Sequence, residues 1–219
     1  MAQITLIRHG QANSGATDEA GYDSLSPLGH RQSGWLGDYL AATETRHARV
    51  YTGSLIRHRE TAQAMGAAID TEPLVDARLN EVAYFDLSAR MHEQFGLAPP
   101  TGREGFIDHL PLVFTAWQDG KIEGAAESYH DFQTRVDDAL HEIAAGEGDA
   151  LIVTSGGLIG MAMRVAMGLE TGALARLVLA ILNTSVHRMQ IVGSNLALTQ
   201  FNAVPHLERP DRRHAQTYI

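Results

Sequence analysis

The sequence predicts an α/β protein, with a mostly parallel sheet between two layers of helices in a three-layer α/β/α sandwich. Two observations carry that expectation. Short apolar runs bounded by polar turns, such as ITLI at 4–7, have the character of strands buried on both faces. Helical patterns then alternate with the strands along the chain, as crossovers over a parallel sheet require.

The first strand, QITLI, runs directly into Arg8-His9-Gly10. Residues 11–25 are rich in Gly, Ser, Asp and Asn and read as a loop. A helix follows in SPLGHRQSGWLGDYLAA. Ser26 can cap it, Pro27 suits its first position, and Leu28, Trp35, Leu36, Tyr39 and Leu40 form its apolar face. ARVYT is a second strand and LIRHRETAQAMGAAI the helix after it, while PLVDARLNE reads as extended up to Glu81. Residues 82–126 are less regular, with LAPPTGREG as a loop and FIDHLPLVFTAWQDG partly helical. SYHDFQTRVDDALHEIAA is an amphipathic helix with Phe132, Val136, Leu140 and Ile143 on one side. DALIVTSGG is a strong third strand ending in a glycine pair, and LIGMAMRVAMGL is the helix beyond it. Two strands joined by a Gly-Ser-Asn turn close the sheet, and a polar tail from Pro205 is expected to lie on the surface or fray. No repeat, low-complexity stretch or linker divides the chain. It reads as one domain over 1–219, with 82–126 inserted over the sheet edge as a lid.

Composition narrows the function. At 219 residues with 44% hydrophobic and 20% charged side chains, the chain can bury one sizeable core. The absence of cysteine excludes disulfides, thiolate metal sites and a cysteine nucleophile. The N-terminus lacks the basic and apolar regions of a signal peptide, and the longest apolar run, LVLAIL, is far too short for a membrane span. A cytoplasmic protein is expected. A net charge of −9 argues against a nucleic-acid or anionic-membrane partner. Of 17 basic side chains only Lys121 is lysine, and arginine offers the planar fork that fits a phosphate or carboxylate.

Ligands of open α/β sheets bind beyond the carboxyl ends of the strands. Three such ends carry chemistry here: LIRHG supplies Arg8 and His9, VYTGSLIRHRETA supplies Arg57, and IVTSGGLIG supplies Gly156 and Gly157 at a helix N-terminus, where N–H groups attract anions. Arg59 lies about 200° round the helix from Arg57 and reads as a surface or supporting ion-pair residue. His58, Glu60 and His30 carry no metal-ligand spacing, and no metal or cofactor is expected.

These segments, with LSPLGHRQ, RLNE and the closing FNAVPHL, resemble the histidine phosphatase superfamily, which includes phosphoglycerate mutases and many small phosphatases. The resemblance spans nearly the whole chain. It implies a phosphoglycerate mutase-like fold, His9 as a nucleophile that becomes phosphorylated, Arg8 and Arg57 as clamps on the phosphoryl oxygens, and Glu81 as proton donor to the leaving group. The physics agrees: neutral imidazole is a competent nucleophile, and paired guanidiniums suit charge spread over three equatorial oxygens. Glu81 can donate only if burial raises its pKa against the nearby arginines.

Two departures stand out. The family pattern reads HGG, and here Ser155 precedes the glycine pair. Its hydroxyl can still donate one bond to the phosphoryl group beside Gly156, at a loss of about 1–2 kcal/mol of transition-state stabilisation. Gly15 stands where many members carry asparagine, leaving Asn13 or Ser14 as substitutes. His187 and His206 are candidates for a replacement imidazole, with packing at the sheet edge the alternative. The leading reading is a metal-independent phosphomonoesterase acting on a small phosphorylated molecule. A catalytically impaired phosphate-binding or regulatory member, or a phosphoglycerate mutase-type phosphotransferase, are the alternatives. Arg103 and His109 are possible substrate contacts, and an exposed last strand could pair two copies across a dimer axis.

Overall fold

A computed structural model describes residues 3–13, 15–16, 18–66, 69 and 71–218. Its centre is strand β1 (Gln3–Arg8), paired in parallel with β4 (Ala150–Thr154) and antiparallel with β5 (Val186–Val192). Beyond β4 lie β2 (Arg49–Thr52) and the two-residue edge strand β3 (Leu74–Val75), both parallel. Beyond β5 lies β6 (Asn195–Ala203), antiparallel. The six strands run β3-β2-β4-β1-β5-β6. This is the mostly parallel α/β sheet read from the sequence.

The period of two in a strand sorts the apolar runs into two cores. Ile7, Val50, Leu151 and Val153 face Leu36 and Leu40 of α2 (Pro27–Ala42), which follows the single-turn α1 (Glu19–Tyr22), and Ala62 of α3 (Ile56–Ala64). Ile4, Leu6, Ala150 and Ile152 face the opposite layer. There they meet Val136, Leu140 and Ile143 of α6 (Tyr129–Ala145), Met161 and Met163 of α7 (Gly156–Met167) and Leu174 of α8 (Thr171–Ala180). Both faces of β1 and β4 are covered, so neither strand shows polar alternation. Two glycines let helices touch. A Cβ on Gly37 would meet the Met65 carbonyl oxygen at 2.0 Å, and one on Gly160 would meet Val178 Cγ2 at 2.4 Å.

Ser26 caps α2 as expected, its Oγ accepting from Gly29 N at 3.0 Å, with Pro27 next. Elsewhere the structure corrects the sequence reading. The extended reading of 73–81 gives way to β3 and a 3₁₀ turn at Ala77–Leu79, nucleated by Asp76 Oδ1 accepting from Arg78 N at 2.8 Å. The less regular stretch 82–126 holds two helices, α4 (Tyr84–Phe95) and α5 (Gly102–Gln118). Pro111 inside α5 and Gly96 and Gly102, both at positive φ between the helices, blur their pattern in the sequence. The first four residues of LVLAIL end α8, which packs against both α5 and α7 and so is apolar on most sides. The C-terminal tail does not fray: Val204, Leu207 and Ala215 are buried against Leu28 and Trp35, and Gln32 Nε2 donates to the Ala215 carbonyl at 2.7 Å. Among the described residues no helix is long and apolar enough to cross a membrane.

His187 and His206 are both buried at this end of the molecule. His187 donates from Nε2 to Ser185 Oγ at 2.9 Å while its Nδ1 accepts from Asn202 N, and His206 Nε2 lies 2.8 Å from Thr184 Oγ1. Burial lowers both from 6.5 to about 3. The unfolded chain therefore takes up these protons more readily than the folded one. Stability is full above pH 6.5 and is lost as pH falls towards the folded values. Denaturant unfolding is expected to show a free energy that drops below pH 6.5 by about 1.4 kcal/mol per pH unit for each histidine. In His187→Gln the slope between about pH 6 and pH 4 should shallow by that amount.

Candidate active site

The last rung of the β1–β4 ladder pairs Arg8 with Thr154, and His9 N then donates to the Thr154 carbonyl at 2.8 Å. His9 and Ser155 thus leave the sheet side by side. From the neighbouring β2, Gly53 N donates to the Val153 carbonyl before the chain turns into α3. No side chain fits on Gly53, because a Cβ would meet His58 Nδ1 at 2.3 Å. That turn buries Arg57 and His58 beneath the strand ends. Leu55 cannot cap α3, and Asp23 does so from the loop before α2. Its carboxylate accepts from Ile56 N at 2.9 Å, from Arg57 N at 3.1 Å and from Arg57 Nη1 at 3.1 Å. Thr61 Oγ1 accepts from Gly10 N at 3.0 Å and donates to the Arg57 carbonyl, tying the RHG turn to α3.

The His9 tautomer follows from one contact. Its Nδ1 lies 2.7 Å from the Gly10 carbonyl oxygen, which can only accept, so the proton sits on Nδ1 and Nε2 holds the lone pair. Burial holds His9 well below 6.5, and the Arg57, Arg8 and His58 side chains push in the same direction. The imidazole is neutral across the physiological range.

Arg8 is buried against Gly156, its Nη1 donates to the Ile181 carbonyl, and among the described residues its Nε has no hydrogen-bond partner. The carbonyls of Arg8 and His9 both accept from Thr184 N. Thr184 stands at φ 56°, a conformation a β-branched residue adopts only under tertiary constraint. Arg57 lies over the Tyr22 ring, its Cζ 5.1 Å from the centroid. Glu81 follows the 3₁₀ turn, which is pinned from two sides. Thr154 Oγ1 donates to the Leu79 carbonyl at 2.6 Å, and Arg135 of α6 donates to the carbonyls of Arg78 and Asn80. The Glu81 carboxyl accepts from Val82 N at 2.9 Å and Gly157 N at 3.1 Å. Burial raises its pKa above 4.5, against the lowering pull of Arg57, the two amides and Arg8. A Cβ on Gly157 would lie 2.3 Å from Glu81 Oε1, so a side chain there would displace the Glu81 carboxyl from this amide.

All six residues singled out in the sequence therefore stand at one end of the sheet: Arg8, His9, Arg57, Glu81, Ser155 and Gly156. The sequence reading missed His58. It gave this residue no role beyond its lack of metal-ligand spacing, yet His58 is wholly buried, with Nε2 2.6 Å from Ser155 Oγ and its ring centroid 5.8 Å from that of His9. Burial and then Arg57 hold it well below 6.5. Among the described residues Nδ1 has no partner. An N–H buried without an acceptor is the costlier alternative, so Nε2 carries the proton and donates to Ser155. The Ser155 hydroxyl proton is then free for another acceptor. Ser155 is also the N-cap of α7 yet makes no capping bond, its oxygen being engaged by His58. The only signal for His58 in the sequence was its place beside Arg57.

Other expectations resolve differently. His187 and His206 bond to Ser185 and Thr184, and the imidazole bonded to the Ser155 hydroxyl is that of His58. Arg59 is exposed, and Glu60 Oε2 accepts from Leu25 N at 2.7 Å. Asn13 turns its amide to the Gly21 carbonyl, Gly15 is exposed, and Ser14 lies outside the described residues. Arg103 stacks on Tyr218 with Cζ 3.8 Å from the ring centroid, and His109 Nδ1 lies 2.8 Å from Tyr84 Oη. Among the described residues no cluster of three or more His, Asp or Glu side chains could hold a metal ion.

A cavity of about 130 Å³ is lined by Arg8, Arg57, Glu81, Gly156 and Gly157 of this cluster, while His9, His58 and Ser155 are not among its lining residues. A wider depression of about 540 Å³ beside α3 and β3 holds none of these residues.

Residues 4–204 match the family model of the histidine phosphatase superfamily (branch 1). A probable phosphoglycerate mutase of Klebsiella pneumoniae is 28% identical over 96% of this chain and 97% of its own. A metal-independent phosphoserine phosphatase of Arabidopsis thaliana is 25% identical over 94% and 84%. The fold is shared with a phosphoserine phosphatase of Entamoeba histolytica, at a TM-score of 0.69 and 18% identity over 94% of this chain and 100% of that one. It is shared equally with a mycobacterial glucosyl-3-phosphoglycerate phosphatase, at 0.66 and 21% over 93% and 99%. With the family matched over almost its whole length, the chain belongs to branch 1 of the histidine phosphatase superfamily.

Proposed function

We propose that this protein is a phosphomonoesterase that hydrolyses a small phosphorylated molecule through a phosphohistidine on His9. The observation that carries the reading is the bond from His9 Nδ1–H to the Gly10 carbonyl, which leaves an Nε2 lone pair in a cluster holding two buried arginines. In this reading Nε2 attacks phosphorus, and the bond to the ester oxygen breaks as that oxygen takes the proton of Glu81. Water then attacks the phosphohistidine, giving its proton to the Glu81 carboxylate, and inorganic phosphate leaves. Arg8 and Arg57 stabilise the charge on the equatorial oxygens, where preorganised donors act most strongly. Ser155, its oxygen held by His58, donates its own proton to the same oxygens beside Gly156. The segment 82–126 forms the wall over the leaving group and acts as the specificity element of a single domain.

The mutase-named relatives favour a second reading, phosphoryl exchange between two sites of a bisphosphorylated molecule. Against it, Arg8 and Arg57 are the only cations lining the cavity among the described residues. Phosphoryl exchange outpacing hydrolysis on a bisphosphorylated substrate would reverse this ranking.

His9→Ala is expected to lower phosphate release from p-nitrophenyl phosphate, measured in chelator, by roughly three orders of magnitude or more, and unchanged release would sink the phosphohistidine. Glu81→Gln should cost about 10²–10⁴-fold on alkyl esters and far less on p-nitrophenyl phosphate, whose leaving group needs no proton. The lowered His9 and raised Glu81 place the optimum between their two titrations, with kcat/KM falling as pH rises through the Glu81 pKa. On alkyl esters that alkaline limb should flatten in Glu81→Gln.

For His58 the expected loss is about tenfold in kcat for His58→Ala, with KM little changed. Because His58 acts through Ser155, the double variant with Ser155→Ala should be no slower than Ser155→Ala alone. Additive losses in that cycle would assign His58 to packing only.

A further inference from the structure

The cavity has two chemically different ends. One holds Arg8, Arg57 and Glu81, with the amides of α7. The other is walled by Tyr84, Phe85, Phe106, Phe114, Val178 and Leu179, brought together from α4, α5 and α8. The aromatic part is continuous: ring centroids lie 5.5 Å apart for Tyr84 and Phe106, 6.3 Å for Tyr84 and Phe85, and 5.9 Å for Phe85 and Tyr22. From this division we infer that the substrate is a phosphate monoester of an uncharged, apolar alcohol, whose phosphate is its only anion. The inference rests on the phosphomonoesterase reading and names the substrate class of that same site.

Charge balance points the same way. Phosphoserine or phosphoglycerate would carry a carboxylate towards the aromatic wall, and a desolvated carboxylate needs a cation or several donors. Among the described residues neither is supplied. The basic side chains of the covering segment are engaged elsewhere: Arg90 with Asp86 at 2.9 Å, Arg103 on the Tyr218 ring, and Lys121 with Asp119 at 2.8 Å. His109 bonds to Tyr84 Oη, and burial lowers its pKa, so it offers the wall no charge. That bond also engages the phenol of Tyr84, leaving its ring as the surface presented to a ligand.

The test compares phosphate release by the full chain from 2-phenylethyl phosphate, glycerol phosphate, phosphoserine and 3-phosphoglycerate, all of which expel an alkoxide-type leaving group. The expected order puts 2-phenylethyl phosphate ahead in kcat/KM by on the order of 100-fold, chiefly through KM. Phe106→Arg, at a partly buried position, should narrow that gap by raising activity on 3-phosphoglycerate and lowering it on the phenylethyl ester. Equal or better turnover of the carboxylated esters by the unaltered chain would overturn the substrate class and leave the phosphomonoesterase reading standing. Should no ester turn over, that reading fails instead, and calorimetric titration of His9→Ala with the same four esters decides the substrate class separately. Preferential binding of the phenylethyl ester upholds it, and preferential binding of 3-phosphoglycerate overturns it.

Discussion

The hydrogen bond from His9 N to the Thr154 carbonyl, at 2.8 Å, fixes the position of everything at the site. It is the final link of a parallel pairing whose strands are buried on both faces, and a slip of one residue would turn Ile7 and Val153 out of their core. The two apolar cores therefore hold the register, and the register decides that His9 stands beside Ser155. Arg57 and His58 arrive from β2 at the same level because β2 pairs with β4 one strand away.

At that level the fold concentrates charge where water is scarce. Two arginines are buried within the influence of His9 and Glu81, and burial dominates the protonation of both of these titratable groups. For His9 burial and the arginines act together, and both favour the neutral ring. For Glu81 they oppose each other: desolvation raises the pKa while Arg57, Arg8 and two amides lower it. A carboxyl so balanced can hold a proton before transfer and release it afterwards, which is what a group serving as acid and then base requires. The cost of holding these groups is met by a supporting frame: Asp23 on Arg57, Arg135 on the turn before Glu81, and Thr184 on the carbonyls of Arg8 and His9.

Much of this was legible beforehand, because strands buried on both faces and helices with clear caps write strong local patterns. β1, β4, α2 and α6 were read nearly to their ends, and the RHG turn, Arg57 and the glycine pair were chosen as site residues from their places at strand ends. Where the pattern failed, the cause was tertiary. α8 packs against two other helices and is apolar on most sides, while α4 ends and α5 begins at glycines of positive φ and α5 holds Pro111. The tail beyond Pro205 is polar in sequence, but Trp35 and Leu28 on α2 give its few apolar residues a place to dock.

By itself the sequence determined the fold class, the sheet end at which the candidate site gathers, and the residue types found there. Strand period, cap chemistry and turn preference are local properties, and each acts over a few residues. The partnership of His58 with Ser155 was decided only in three dimensions, since those residues lie 97 positions apart and neither pattern mentions the other. The same holds for the wall of the cavity, assembled from three helices that share no motif. Contacts between distant segments are settled by packing, and packing depends on shape and volume that a linear pattern does not encode.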